Sequence, residues 1–410
     1  MTTLTRMQDI DLSGRQVLVR VDYNVPKENG RIRDDTRIRE SLPTIQYLLG
    51  QGCGIVLMSH FGRPAEYEGN RSDLSLRPVA SRLEAIMKDE KLLEPSKHVI
   101  FLNNEASYGA ANYHMLTPRL ARVPYVVMLE NTRFNEGEES NDPEFARLLG
   151  AYGDVYVNDA FASAHNKHAS TLGVPQYFAK ERKPVAAGLL MEREVTALQP
   201  LLKPKDRSVA VFGGSKAKDK LGVIKTLAGK YDEILVGGGL ASTFLKAAGY
   251  DIGLSGYEEE FLDVARRLSV TMPVDARIGR GKAREAVYVY DVRFRNGSVD
   301  EGLSIFDIGN ETVSLYAGII AGADTVLWNG PMGVFERDEF SLGTQAVGKA
   351  VAQANARGAY AAAGGGDTIA ALNKYGLSDR MSYISTGGGA MLKFLERDGN
   401  LPAIRVLYND

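Results

Sequence analysis

The second half of the chain contains four glycine-rich turns that are suited to binding phosphate groups. They lie at residues 213–216, 237–239, 364–367 and 387–389. Each follows a short apolar run typical of a β-strand, and at least three precede sequence typical of a helix. Glycine lets the backbone approach a ligand closely, and a helix N-terminus supplies free N–H donors and partial positive charge. At the same ends of parallel strands, such turns would line one edge of a sheet with anion-binding backbone.

Charged side chains accompany these turns. Lys216 and Lys220 could neutralise phosphate charge, although their segment does not match the GxxxxGK[ST] phosphate loop. Asp367 has the hard carboxylate oxygens that suit Mg²⁺ on a nucleotide, and a helix N-cap is its alternative role. Glu336, in the polar turn 328–336, could bind ribose hydroxyls. The absence of GxGxxG disfavours a dinucleotide-dependent dehydrogenase.

In the first half, polar residues follow strand-like runs. Asp22 and Asn24 come after the run 17–21 and could hydrogen-bond ligand hydroxyls, or form an Asx turn before Pro26. His60, Arg63 and Arg133 also lie just past strands, where open α/β sheets bind ligands.

Two further groups of residues leave alternatives open. Arg37 and Arg39 stand near a capped helix start, where either could face a phosphate or pair with the neighbouring acids. His165 and His168 have a spacing that could share a zinc ion, but no cysteine or further histidine lies at ligand spacing, which disfavours such a site.

Composition narrows the classes of protein to consider. A chain of 410 residues favours two domains, and a net charge of −2 argues against nucleic acid or an anionic membrane as the main partner. Cys53 is the single cysteine, so no intramolecular disulfide is possible; its apolar surroundings predict a buried small residue. No segment approaches the roughly 18 apolar residues of a membrane span. We therefore expect a soluble, cytoplasmic protein.

Strand-like and helix-like segments alternate along the chain, which predicts βαβ units and parallel sheets. Residues 270–300, for example AVYVY at 286–290, instead alternate in a manner typical of a small antiparallel sheet edge. A helix at 191–198, ended by Pro200, separates the arginine and histidine motifs from the glycine turns. Apolar residues at helical spacing mark 38–49 and 221–228. The predicted strands are 17–21, 55–58, 125–129, 155–157, 209–212, 233–236, 325–328, 359–363 and 381–384.

Taken together, nine segments in the same order resemble phosphoglycerate kinase. They are VLVRVDYNVP at 17–26, MSHFGRP at 58–64, LENTRF at 129–134, YVNDAF at 156–161, FGGSKAKDK at 212–220, VGGGLASTFLK at 236–246, WNGPMGVFE at 328–336, GGGDT at 364–368 and STGGGA at 385–390. The resemblance implies an α/β fold of two Rossmann-like domains with mainly parallel sheets, joined by a hinge helix across a cleft. It places an N-terminal domain at 1–188, the hinge at 189–204, a nucleotide-binding domain at 205–395 and a tail at 396–410 that could pack back on the N-terminal domain.

The resemblance also assigns roles to residues. It implies that 3-phosphoglycerate binds to a basic patch formed by Asp22, Asn24, Arg37, His60, Arg63 and Arg133. It implies that the nucleotide binds to Gly213, Gly214, Lys216, Lys220, Gly237, Gly238, Asn329, Pro331, Glu336, Gly364, Gly365, Gly366, Asp367 and Thr368, with Asp367 holding Mg²⁺. The catalytic groups would be Arg37, Lys216 and the turn at Gly387 and Gly388, which aims a helix N-terminus at the transferring group.

The implied activity is reversible phosphoryl transfer in glycolysis and gluconeogenesis. The substrates would be 1,3-bisphosphoglycerate with MgADP in one direction and 3-phosphoglycerate with MgATP in the other, with in-line transfer and domain closure in a monomer or dimer. The alternative is a nucleotide-binding homologue without turnover. The presence of Arg37, Lys216 and Asp367 favours the kinase.

The chain departs from the family's pattern in a few places. Asn166 stands where an arginine is usual after the first histidine of the HxxH segment, and we expect Lys167 to restore the charge. Asn310 stands where proline is usual, which should matter less. The stretch 88–122 resembles no motif.

Overall fold

The computed structural model describes residues 3–28, 30–108, 125–205, 207–282, 286–294 and 299–408. The chain divides into two compact units, one of Met1–Val195 with Asn400–Asp410 and one of Thr196–Gly399. Each unit contains its own parallel sheet covered by helices. The predicted α/β class with mainly parallel sheets is therefore confirmed.

The first unit is organised around a six-stranded sheet in the order β5-β6-β4-β1-β7-β8, in which every pairing is parallel. Strands β1, β4 and β7 are buried along almost their whole length, as expected for a sheet covered on both faces. A separate antiparallel hairpin joins β2 to β3. The strands are β1 Gln16–Val21, β2 Lys27–Glu28, β3 Arg31–Ile32, β4 Gly54–Met58, β5 Ile100–Phe101, β6 Val126–Met128, β7 Val155–Asp159 and β8 Val185–Ala187.

The helices of this unit connect the strand ends and cover the sheet. They are α1 Thr36–Gly50, α2 Arg77–Asp89, α3 Asn104–Tyr108, α4 Glu136–Glu139, α5 Pro143–Gly150, α6 Val174–Lys180 and, near the C-terminus, α15 Pro402–Arg405. A π-helix spans Ala169–Gly173. The C-terminal segment pairs with the N-terminal one, since the Thr5 N–H donates to the carbonyl oxygen of Leu407 over 2.8 Å. The part of the stretch 88–122 that begins at residue 109 lies outside the described residues.

The second unit has a five-stranded parallel sheet in the order β10-β9-β14-β15-β16. A second, antiparallel sheet in the order β12-β11-β13 confirms the antiparallel pattern predicted for residues 270–300. The strands are β9 Ser208–Phe212, β10 Glu233–Val236, β11 Asp275–Arg280, β12 Val287–Arg293, β13 Ser304–Ile308, β14 Thr325–Asn329, β15 Tyr360–Gly364 and β16 Tyr383–Ser385.

The core of the second unit contains the buried indole of Trp328, whose Nε1–H donates to the carbonyl oxygen of Gly330 over 2.9 Å. Helix α11 begins at Asn310, so this residue forms a helix start without the usual proline. The helices are α8 Leu221–Leu227, α9 Gly238–Ala247, α10 Leu262–Arg267, α11 Asn310–Ala321, α12 Leu342–Ala356, α13 Gly366–Lys374 and α14 Gly389–Glu396.

Helix α7, Leu189–Leu202, contains the point at which the two units divide. Its N-terminus is held by the buried carboxylate of Asp159, which accepts hydrogen bonds from the N–H groups of Leu190 and Met191 over 2.8 and 3.2 Å. The prediction that Pro200 ends this helix is wrong, because the helix continues to Leu202. A proline so close to the end removes only one hydrogen bond, in the last turn, and the helix tolerates that loss.

Five strands of the described residues lie outside the segments that the sequence analysis marked, and they are β2, β3, β5, β8 and β13. Strands β5 and β8 contain only two and three residues, and each adds an edge to the first sheet. Such short segments carry too few residues for a periodic pattern. Among the described residues, no helix is both long enough and apolar enough to span a bilayer.

Cys53 provides a test of the packing of the first unit. Its thiol is fully buried and donates to the carbonyl oxygen of Leu12 over 3.1 Å, and burial raises its pKa to about 11. Because the thiolate is the reactive form, we expect the folded protein at neutral pH to resist a thiol reagent such as Ellman's reagent. The denatured protein should release one equivalent of chromophore per chain. Rapid labelling of the folded protein would contradict this packing.

Candidate functional site

The carboxyl edge of the first sheet collects the polar residues that follow β1, β4, β6 and β7. Asp22 lies just past β1 and is almost fully buried. Its Oδ1 accepts hydrogen bonds from Arg37 Nη1 at 3.0 Å and from the Asn24 N–H at 3.1 Å, while Oδ2 accepts from the Ser163 hydroxyl at 3.2 Å. The Asx-type hydrogen bond therefore forms, and the carboxylate also anchors Arg37. Burial opposes ionisation of Asp22, but its electrostatic interactions with His60, Arg37 and Arg20 hold its pKa below the ordinary value.

The arginines of the first unit pair with acids and carbonyl oxygens. Arg133 Nη1 donates to the Gly62 carbonyl oxygen over 2.7 Å, and its Nε lies 2.9 Å from the Glu139 carboxylate. Arg63 is largely exposed and pairs with Glu66 at 3.1 Å. An anion that binds at this edge would therefore have to replace carboxylate or carbonyl oxygens as the hydrogen-bond acceptors of these guanidinium groups.

Asn24 and His60 follow the ends of β1 and β4, and Asn24 contacts the turn that contains Gly62. The Oδ1 of Asn24 accepts a hydrogen bond from the Gly62 N–H at 3.0 Å. His60 is almost fully buried and lies beside Arg20, a residue of β1 that the sequence analysis did not single out. The signal was present, since Arg20 is the one charged residue in the apolar run 17–21 and is fully buried.

The segment that contains Asn166 is held by its backbone. The Asn166 N–H donates to the Ser163 carbonyl oxygen over 3.0 Å, and its carbonyl oxygen accepts from the Thr171 hydroxyl at 3.0 Å. Lys167 is exposed. His168 lies 3.9 Å from the buried Glu138 carboxylate, and burial lowers the pKa of this histidine to about 4.

In the second unit, all four glycine turns stand at the carboxyl ends of parallel strands. Turns 237–239, 364–367 and 387–389 follow β10, β15 and β16, and three helices begin within them, at Gly238, Gly366 and Gly389. This confirms that at least three turns open into helices. The turn 213–216 follows β9 and differs, because α8 begins only at Leu221.

Three of these turns, 213–216, 237–239 and 364–367, contribute residues to the lining of a cavity of about 320 Å³. Its lining combines backbone from the glycine turns with apolar and carboxylate side chains. The lining residues are Gly214, Ser215, Gly238, Gly239, Ile305, Phe306, Pro331, Gly333, Val334, Phe335, Glu336 and Asp367. A groove that combines apolar walls with helix N-termini can take an aromatic base at one place and phosphate oxygens at another.

Lys216 and Lys220 differ sharply in environment. Lys216 is exposed, next to the first glycine turn. The ammonium group of Lys220 is buried, donates to the Gly213 carbonyl oxygen, and lies 3.5 Å from that of Asn329. Burial lowers the pKa of Lys220 to about 8, although Asp367 and Asp219 favour its charged form.

Asp367 is exposed in the first turn of α13, and Gly365 occupies the N-cap position. The alternative reading of Asp367 as the N-cap is therefore wrong. Among the described residues, no group of three or more His, Cys, Asp or Glu side chains could by itself hold a metal ion. A cation at Asp367 would have to complete its coordination with ligand oxygens and water, which is how Mg²⁺ usually binds with phosphates.

Asn329 and Thr368 bind the backbone of adjoining turns. The Asn329 Nδ2 donates to the Gly364 carbonyl oxygen over 2.7 Å, and the Gly330 N–H donates to the Thr368 hydroxyl over 2.7 Å. Gly388 has a φ of 54°, a conformation that favours glycine, directly before α14. The Gly387 N–H donates to the Ser385 hydroxyl over 3.2 Å.

The sequence analysis missed the support behind the cavity wall. The buried hydroxyl of Thr344 accepts hydrogen bonds from the N–H groups of Met332 and Gly333 over 3.0 and 3.3 Å. The buried carboxyl of Asp307 accepts from the Gly343 N–H over 2.8 Å. No motif in the sequence marks either residue, because their partners are distant backbone groups.

Comparison with known proteins gives a consistent match. The family model described as phosphoglycerate kinase matches residues 7–398. Proteins named phosphoglycerate kinase from Thermosipho africanus and Chloroflexus aurantiacus are 42% and 44% identical; the alignments cover 98% and 95% of this chain and 97% and 95% of the relatives. The solved phosphoglycerate kinase structure from Coxiella burnetii has a TM-score of 0.82 at 40% identity, over 99% of this chain and 98% of that one. The structure from Pyrococcus horikoshii has a TM-score of 0.80 at 30% identity, over 98% of each chain.

Two glycines of the second sheet edge make a matched test of the backbone approach. A Cβ at Gly213 would overlap the carbonyl oxygen of Pro331, whereas one at Gly366 would meet no described heavy atom within 4 Å. We expect Gly213→Ala to lower the free energy of unfolding by roughly 2–4 kcal/mol. Gly366→Ala should change it by less than about 1 kcal/mol. Urea denaturation of the two variants measures the difference, and equal stabilities would contradict the packing of the first turn.

Proposed function

The chain belongs to the phosphoglycerate kinase family, and from that premise we propose that it transfers a phosphoryl group reversibly between MgATP and 3-phosphoglycerate. The products of the forward transfer would be MgADP and 1,3-bisphosphoglycerate. The observation that best supports this is the division of site chemistry between two sheets. The first sheet gathers arginine and histidine side chains, and the second gathers glycine turns and helix N-termini.

The first sheet edge suits a small substrate with several negative charges. Arg37, Arg63 and Arg133 can offer planar pairs of N–H donors, which match phosphate and carboxylate oxygens. The buried Asp22 holds Arg37 at 3.0 Å, so this guanidinium is positioned before a substrate arrives. Asn24 and His60 add uncharged hydrogen-bonding groups that can bind the hydroxyl or carboxylate of 3-phosphoglycerate.

The second sheet edge suits a nucleotide. In our proposal Gly237, Gly238 and Pro331 flank the base in the cavity of about 320 Å³. Glu336, exposed at the cavity, would bind the ribose. The N-termini of α13 and α14 would direct N–H groups at phosphate oxygens. Gly213, Gly214 and Lys220 would hold the backbone of the phosphate-binding turn.

Asp367 would provide the protein's ligand to Mg²⁺. Asp367 offers an exposed carboxylate, which fits an ion that takes its other ligands from nucleotide phosphates and water. When bound, Mg²⁺ neutralises charge on the phosphate groups. The chain's own residues then have the task of placing the donor and acceptor oxygens in line.

We propose a direct transfer without a covalent enzyme intermediate. Arg37 and Lys216 would neutralise the charge that develops on the transferring group, and the turn at Gly387 and Gly388 would add backbone N–H donors. Because the proposed substrate sites belong to different units, the transfer requires a domain closure that brings the reacting oxygens together and excludes water. The activity would serve glycolysis and gluconeogenesis in the cytoplasm, in a monomer or a dimer.

A coupled assay with MgATP and 3-phosphoglycerate tests the proposal directly. We expect turnover on the order of 1–1000 per second. A nucleotide-binding homologue without turnover is the competing function, because the glycine turns alone would suffice for binding. That protein would bind MgADP in calorimetry and form no 1,3-bisphosphoglycerate, which would overturn the proposed activity.

The role of Lys216 leads to a kinetic prediction. Lys216→Ala should lower kcat by roughly 10²–10³-fold and change the KM for MgATP by less than about threefold, because we assign this ammonium to the transition state. Lys218→Ala is the matched control, since Lys218 is an exposed lysine two positions along the same loop. Equal changes in kcat and nucleotide affinity for Lys216→Ala would refute the assignment.

Lys167 leads to a prediction about the other substrate. Lys167→Ala should raise the KM for 3-phosphoglycerate by about tenfold, because a lost charged hydrogen bond costs roughly 1.5–3 kcal/mol. Asn166→Arg should lower this KM, since it restores the planar donor at the usual position. Steady-state kinetics with saturating MgATP measures both. An unchanged KM in Lys167→Ala would show that this lysine does not replace the missing arginine.

A further inference from the structure

A continuous hydrogen-bonded chain runs beneath the proposed 3-phosphoglycerate site. The fully buried Arg20 donates from Nε to the Ser170 hydroxyl over 2.8 Å, and from Nη1 to the Val21 carbonyl oxygen. Its Nη2 lies 3.0 Å from Nδ1 of His60. The Ser170 hydroxyl in turn donates to Oε1 of the buried Glu138 over 2.6 Å. Three sides of the guanidinium are therefore fixed by groups from different elements.

The contact between Arg20 and His60 determines where the imidazole carries its proton. A guanidinium remains protonated in proteins and has only donors, so the ring nitrogen that faces it must accept. Nδ1 of His60 therefore has no proton. The single proton of the neutral ring lies on Nε2, the nitrogen that does not contact Arg20.

The surroundings also disfavour a second proton on His60. Burial lowers the pKa of His60 to about 3, and the positive charges of Arg20 and Arg133 act in the same direction. Asp22 opposes them and favours the charged ring. The ion pair between Arg37 and Asp22 partly neutralises the negative charge that Asp22 presents to His60.

We propose that Arg20 is a positioning residue that holds His60 as the neutral tautomer protonated at Nε2, so that His60 donates an uncharged hydrogen bond to an acceptor oxygen of the substrate. Glu138 acts one step further away, because it holds Ser170, which accepts from Arg20 Nε. The part that concerns the substrate rests on the proposed function; the tautomer itself does not. The charge of an anionic substrate is then met by the arginines, and its affinity does not follow a histidine titration.

Nitrogen-15 NMR of the imidazole rings in the intact wild-type protein tests the tautomer. His60→Gln assigns the His60 signals by their loss. We expect a protonated Nε2, an unprotonated Nδ1 and no titration between about pH 5.5 and 8. A proton on Nδ1, or a titration near the ordinary pKa of histidine, would overturn the proposal. This measurement requires neither turnover nor a folded variant at position 20.

Arg20→Met then tests the cause. The variant removes the guanidinium that donates to Nδ1 of His60 and leaves Asp22 beside the ring. The His60 pKa should therefore rise, and the ring should populate both tautomers. Ser170→Ala is the control for disturbance of the buried chain, because it retains Arg20 Nη2 and should keep the wild-type tautomer. A folded Arg20→Met protein whose His60 still shows the wild-type tautomer without titration would refute the role of Arg20.

Kinetics separates this inference from the proposed function. In an active enzyme, the KM calculated for the dianionic phosphate form of 3-phosphoglycerate should be flat across about pH 6–8 in wild type and vary with pH in Arg20→Met, while the KM for MgATP should be the same in both proteins at each pH. An inactive protein with the expected tautomer would overturn the function and leave the tautomer intact. An active protein whose His60 titrates would overturn the inference alone.

Discussion

The structure depends on one property of parallel sheets, namely that the carboxyl ends of their strands meet at the same edge. In the first unit, β1, β4 and β6 bring Asp22, His60 and Arg133 to that edge from positions far apart in the chain. In the second unit, the same property aligns four glycine turns in one row. Backbone packing at these turns is so close that a single Cβ at Gly213 would overlap the Pro331 carbonyl oxygen. The order and direction of the strands thus determine which residues lie together at each edge.

Much of this could be predicted from the sequence, because buried parallel strands are continuous apolar runs bounded by glycine or polar residues. Strand β10, Glu233–Val236, coincides with the predicted run, and most others differ by one or two residues at an end. Strands β5 and β8 were missed because an edge strand of two or three residues has no pattern. Pro200 was misread because a proline in the last turn of a helix costs little.

Side-chain partners could be predicted much less well than strands. Arg20 was overlooked because its partners, Ser170 and His60, come from segments that only the fold brings together. Thr344 was overlooked for the same reason, since its hydroxyl serves two N–H groups of the cavity wall. The sequence does show which residue types are present at a strand end. Whether such a residue faces a ligand or supports a neighbour depends on three-dimensional contacts.

Four cations of the two edges, Arg37, Arg63, Arg133 and Lys220, are engaged with internal acceptors, and the strength of each pairing bears on how a phosphate could bind. The Arg63–Glu66 pair is exposed, so water and salt weaken it and an incoming dianion can replace the carboxylate at little cost. The Arg37–Asp22 pair involves a nearly buried carboxylate that also accepts from Ser163, so it should persist and orient Arg37. The exposed ion pairs would then open to admit the phosphate, and the buried ion pairs would keep their guanidinium groups in a fixed orientation. A site of this kind can hold several guanidinium groups near one another before any substrate neutralises them.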